Sequence, residues 1–84
     1  MTAVVASTTS EVMHECRRAI GRRFGWLRLE LARVGGSVNA LPAHYQRLWH
    51  GYTAVVGKFN HIGLERDLDK RERGYQKLIR ELQR

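Results

Sequence analysis

Leu41-Pro42-Ala43-His44-Tyr45-Gln46-Arg47-Leu48-Trp49-His50-Gly51-Tyr52-Thr53-Ala54-Val55-Val56-Gly57-Lys58-Phe59-Asn60-His61-Ile62 holds large apolar residues at alternating steps of four and three: Leu41, Tyr45, Leu48, Tyr52, Val55, Phe59 and Ile62. At about 100° per residue that order lines all of them along one side of an α-helix, whereas a strand would divide them between two faces. Covering each such side chain is worth roughly 1.5–3 kcal/mol, so the ridge must pack against something, inside the chain or outside it. Pro42 suits the first turn of this helix, where its missing N–H costs nothing. The spacing predicts a helix over 42–62.

Upstream, Met13, Cys16, Ile20, Phe24, Leu27, Leu31 and Val34 recur at steps of three and four and form a second ridge. Thr8-Thr9-Ser10-Glu11 has the form of a capping box, which predicts a helix over 10–33 preceded by a disordered tail at 1–9. Gly35-Gly36 closes it, because glycine readily adopts the left-handed conformation at a helix C-terminus. One pattern competes. Leu27, Leu29 and Leu31 alternate with Arg28 and Glu30, and Val34-Gly35-Gly36-Ser37 has the form of a hairpin turn between strands at 27–34 and 37–41. The alternation fails at Arg33 and Val34 while the helical ridge continues, so the helix is preferred and 34–41 is read as a connector.

After Gly63 the apolar register changes to Leu64, Leu68, Tyr75, Leu78, Ile79 and Leu82, which predicts a third helical segment over 64–83, separate or as a bent continuation. Residues 65–73 are charged except for Leu68, with Asp67/Arg71 and Asp69/Arg73 spaced for i, i+4 pairing. The fold class is therefore all-α: one domain of 84 residues, an antiparallel helical hairpin with a third C-terminal helical segment. A domain this small hides only about 60–65% of the surface its unfolded chain exposes, so its stability is marginal.

Composition narrows the function. The single cysteine, Cys16, excludes an intrachain disulfide and suits a reducing cytoplasm; no signal-peptide pattern or membrane span is read, so a cytoplasmic location is expected. His14, His44, His50 and His61 lack metal-ligand spacing, nothing marks a Ser/His/Asp or Cys/His arrangement, and paired acidic residues occur only in the charged run, where ion pairing explains them, so no catalytic residue, metal or cofactor is assigned. A formal net charge of +7 attracts anionic partners.

The side of the first helix opposite its ridge gathers Arg18, Arg22, Trp26, Leu29 and Arg33, mixing cations with a large indole as interface hot spots do. Gly21 and Gly25 near its edge would let another helix approach closely. Arg18, Arg22 and Arg33 are candidate contacts to an acidic partner; Trp26 and Leu29 either meet that partner or lie beneath the third segment. Nucleic acid is the alternative partner, on the arginines of the first helix, although no helix-turn-helix or zinc spacing appears and Glu65, Asp67 and Asp69 dilute the C-terminal charge.

Leu29-Glu30-Leu31-Ala32-Arg33, Gly35-Gly36, then Pro42-x-x-Tyr45-Gln46-x-Leu48 and Ala54 together resemble the small helical-hairpin co-chaperones of type III secretion systems over residues 29–62. That resemblance implies a cytoplasmic antiparallel hairpin pairing with a tetratricopeptide-like partner that holds the needle subunit unpolymerised. It places Tyr45, Leu48, Tyr52 and Val55, with Leu27 and Leu31 facing them, at packing and partner-contact positions. The longer connector before Pro42, the basic first helix and the charged extension after Gly63 depart from the pattern. The functional expectation is a non-enzymatic adaptor that uses Tyr45, Leu48, Tyr52, Val55, Phe59, Trp26 and Leu29 to dock a helical partner, or a second copy as a homodimer.

Overall fold

The structure, a computed structural model, describes the backbone from Ala3 to Arg84 and the side chains from Glu11 onward. Among the described residues three helices follow in order, α1 (Ala3–Arg33), α2 (Ala43–Gly63) and α3 (Leu68–Leu82), with a single 3₁₀ turn (Val38–Ala40) in the connector and no strand. The all-α hairpin with a third helix is thus observed.

The β-hairpin alternative at 27–41 is excluded by how α1 ends. The Gly36 N–H donates to the Leu31 carbonyl (2.9 Å) and the Gly35 N–H to the Ala32 carbonyl (3.1 Å), the crossed pair of a Schellman motif. Gly35 and Gly36 sit at φ 72° and 83°, where a Cβ is strained.

Three boundaries differ from expectation. α1 starts at Ala3, not at residue 10, and runs straight through the Thr8 capping box. The segment at 3–9 is therefore helix rather than tail: it holds neither glycine nor proline, and lengthening an existing helix carries no nucleation cost. Met1, Thr2 and the capping side chains of Thr8 to Ser10 lie outside the described residues. Pro42 stands one position before the first turn, as the N-cap of α2, and its carbonyl accepts from the Gln46 N–H at 3.0 Å. The Gln46 amide reaches back to the Leu41 carbonyl at 2.8 Å and fastens the connector.

The third segment is a separate helix starting at Leu68, because Asp67 caps it: one carboxylate oxygen accepts from the Asp69 and Lys70 N–H groups at 3.0 and 3.2 Å. The expected Asp67/Arg71 and Asp69/Arg73 ion pairs do not form. Asp67 is committed to the cap, and the Arg71 guanidinium donates to the Glu65 carbonyl at 2.8 Å, closing the α2–α3 loop.

The core lies where α3 packs along α1. Cys16, Ala19, Ile20, Phe24 and Leu27 of α1 meet Tyr75, Leu78 and Leu82 of α3, and all eight are buried. α3 runs back beside α1 until its C-terminal carbonyls, at Leu82 and Arg84, accept from the Arg23 guanidinium at 3.0 and 3.3 Å. Gly74 permits the α2–α3 approach, since a Cβ there would stand 3.1 Å from Ile62. The result is elongated, 51 × 22 × 19 Å, with a radius of gyration of 15.2 Å where a compact chain of this length has about 12 Å.

Gly51 and Gly57 lie inside α2 with open space around the position of a Cβ. Alanine at either is expected to raise stability by about 0.5–1 kcal/mol through helix propensity. Gly74→Ala is expected to gain less, because Ile62 must give way. Urea unfolding followed by circular dichroism orders the three variants.

Candidate binding surfaces

The α2 ridge has cover within the chain itself. Tyr45, Leu48, Tyr52, Val55 and Phe59, predicted to meet a partner, each lie half-buried with one side packed against the core built by α1 and α3. The Phe24 and Tyr52 rings lie 5.3 Å apart, as do Phe59 and Tyr75. Cover for the ridge comes from α1 and α3 together, through Phe24 and Trp26 of α1 and the buried Tyr75 of α3. Yet no residue of α2 is fully buried, so its ridge is covered on one flank and open on the other.

The open flank is a groove of about 400 Å³ between α1 and α2, with no residue of α3 in its lining. Gly21 and Gly25 leave the α1 wall bare, with nothing within 4 Å of a Cβ at either. Tyr52, Val56 and Phe59 form the opposite wall, and Arg17 and Arg28 stand at the margin. The Arg17 guanidinium lies over the Phe59 ring, 5.6 Å from its centre. Gly21 and Gly25 stand out in the sequence, whereas nothing in the spacing places Arg17, Arg28 and Val56 beside them.

Trp26 and Leu29 are exposed, at 42% and 69%, and α3 does not cover them. Trp26 makes an edge contact with Tyr45 of α2, 5.2 Å between rings, and its indole N–H donates to the Arg23 carbonyl at 3.0 Å. Leu29 sits on the far side of α1 from the core, where the helix geometry turns it outward.

The cations named from sequence are partly neutralised along their own helix. Arg18 and Arg22 both reach Glu15, at 2.9 and 3.3 Å, and Arg33 reaches Glu30 at 3.1 Å. Hydrogen bonds from Arg18 first and Arg22 second hold the Glu15 carboxyl below its usual range. Exposed pairs of this kind are weak, about 0–1 kcal/mol, but they leave Arg18, Arg22 and Arg33 poorer anion sites than a count of charges suggests.

Among the described residues no three of His, Cys, Asp and Glu gather to hold a metal, and the four histidines are all exposed. Cys16 is fully buried, and that burial pushes its thiol up to about 11. The folded state favours the protonated thiol, so this contribution is complete below the ordinary thiol pKa and is lost as pH rises through about 9 to about 11. The urea midpoint of the wild type is expected to fall over that interval more steeply than that of Cys16→Ala, which has no thiol to ionise.

No helix among the described residues is long and apolar enough to cross a membrane. No family model matches the chain, and neither does any curated protein or solved structure.

Proposed function

We infer that this protein is a non-enzymatic binding module that receives an acidic amphipathic helix in the groove between α1 and α2. The observation that carries the reading is the open flank of α2: bare Gly21 and Gly25 face Tyr52, Val56 and Phe59 across a gap that α3 leaves uncovered. Small residues on one wall let a helix backbone approach closely, and aromatic side chains on the other offer the anchoring contacts on which interfaces depend. Arg17 and Arg28 at the margin favour carboxylates on the incoming helix and would steer its approach. The same charge disfavours a second copy, since each chain carries a net +7.

Trp26 and Leu29, near the hairpin tip, extend the apolar surface available to a longer partner. In the type III secretion reading the partner is a tetratricopeptide-like chaperone, whose helical repeats supply the required surface, and the module acts in the cytoplasm. α3 then occupies one side of the hairpin and the chaperone the other.

Gly25→Leu tests this without harming the monomer, because the new side chain enters open space and fills the groove. Val56→Arg, checked for folding by circular dichroism, tests the other wall. Affinity purification from the native host is expected to retain one acidic helical protein on the wild type, with affinity lowered about thirtyfold or more by either variant, as truncating a hot spot does. Equal retention on wild type and both variants overturns the groove. Sedimentation showing a wild-type dimer that both variants split would replace the acidic partner with a second copy.

A further inference from the structure

The cations that α1 does not provide are on α3. Lys70, Arg73, Lys77 and Arg80 follow at steps of three, four and three, with Arg84 four positions on, just past the helix end, so at 100° per residue the four within α3 occupy an arc of about 80°, centred about 150° from Tyr75, Leu78 and Leu82. The three apolar residues are buried against α1 and all five cations are exposed, so the core contact itself turns the basic stripe to solvent. None of the four ion pairs among the described residues uses a stripe residue. Lys77, Arg80 and Arg84 border one shallow depression with Glu81, and that carboxylate is already engaged by Lys58 of α2 at 3.3 Å rather than by a residue of the row. Asp69 and Glu72, the other acidic residues of α3, lie in its first turns, away from the Lys77–Arg84 end.

We propose that the outer face of α3 binds the phosphate backbone of duplex nucleic acid, independently of the α1–α2 groove. Within α3 the stripe from Lys70 to Arg80 runs straight for about 15 Å, at 1.5 Å per residue, matching a linear array of phosphates better than a single anionic group. It contains no exposed apolar side chain, so it lacks what an interfacial helix inserts into a bilayer; the exposed Leu64 and Leu68 stand at the opposite end of the helix from Arg84. No side chain is arranged to read base edges, so recognition is of charge and shape. Four to five phosphate contacts predict that log K falls with log salt at a slope of about −4.

Fluorescence anisotropy of a labelled DNA duplex of about 20 base pairs, titrated with the full chain between about 50 and 200 mM salt, measures that slope. Wild type is expected to bind a mixed and a scrambled sequence alike. Lys77→Glu/Arg80→Glu, surface changes whose fold is verified by circular dichroism, is expected to weaken binding at least tenfold and to reduce the slope by about 2. Arg18→Gln/Arg22→Gln on α1 should leave both unchanged. The proposal is overturned by absence of binding at the lowest salt, by equal loss in the α1 and α3 variants, or by tighter association with vesicles of equimolar phosphatidylserine and phosphatidylcholine than with the duplex. Gly25→Leu, which fills the groove, is expected to bind the duplex like wild type, so failure of the groove and failure of the stripe are separately visible.

Discussion

Tyr75→Ala is expected to lower stability by about 3–5 kcal/mol and to release α3 from the hairpin. Tyr75 is 2% exposed and is among the largest fully enclosed side chains of the chain, with the Phe59 ring 5.3 Å away. It therefore joins α3 to α2 as well as to the α1 core. A chain of 84 residues has roughly 4–13 kcal/mol of total stability at about 0.05–0.15 kcal/mol per residue, so the variant should be largely unfolded or close to it. Tyr75→Phe separates the ring from the hydroxyl: no buried side-chain polar atom lacks a partner among the described residues, and losing the hydroxyl is expected to cost less than about 1.5 kcal/mol. Urea unfolding of both variants decides the matter. A loss under about 1 kcal/mol for Tyr75→Ala would mean that α3 is not docked as described, and the outward orientation of its cations would go with it.

Leu27→Ala and Leu29→Ala form the second test, because they differ by two positions and should differ most in effect. Leu27 is completely buried in the α1–α3 core, and its truncation is expected to cost about 2–5 kcal/mol through lost burial and a residual cavity. Leu29 is mostly exposed, and its truncation should change stability by no more than about 0.5 kcal/mol. In an extended strand both side chains would share one face and the two variants would behave alike. Thermal melts suffice, since about 1 kcal/mol corresponds to roughly 4–8 °C in a domain of this size. If Leu29→Ala left folding intact yet weakened capture of the acidic partner, the binding surface would reach from the groove to the hairpin tip.

The candidate surfaces were unequally legible. Gly21 and Gly25 stand out in the sequence because they interrupt a helical ridge at a spacing of four, but what they face depends on how α2 crosses α1. The arginines at 18, 22 and 33 looked like free cations because a charge count does not show that Glu15 and Glu30 lie within reach along the same helix. The reverse held for α3. Its row of Lys and Arg is periodic in the sequence, but summing charge over the whole C-terminal half let Glu65, Asp67 and Asp69 hide it; in three dimensions Asp67 is consumed by the helix cap, and Glu65 borders the N-terminal end of the row beside Lys70.

The spacing of apolar residues together with the Gly35-Gly36 pair determined that this chain is helical, where α1 stops and that α2 carries a single ridge, because side-chain periodicity and glycine's access to positive φ are local properties. Only the tertiary structure decided what covers that ridge. The three helices can bury their apolar faces in more than one arrangement, and the choice rests on contacts distant in sequence: Tyr75 beside Phe59, Ile62 against bare Gly74, and Arg23 holding the last carbonyls of α3. Docking α3 on one side of the hairpin both leaves the opposite groove open and turns five cations outward.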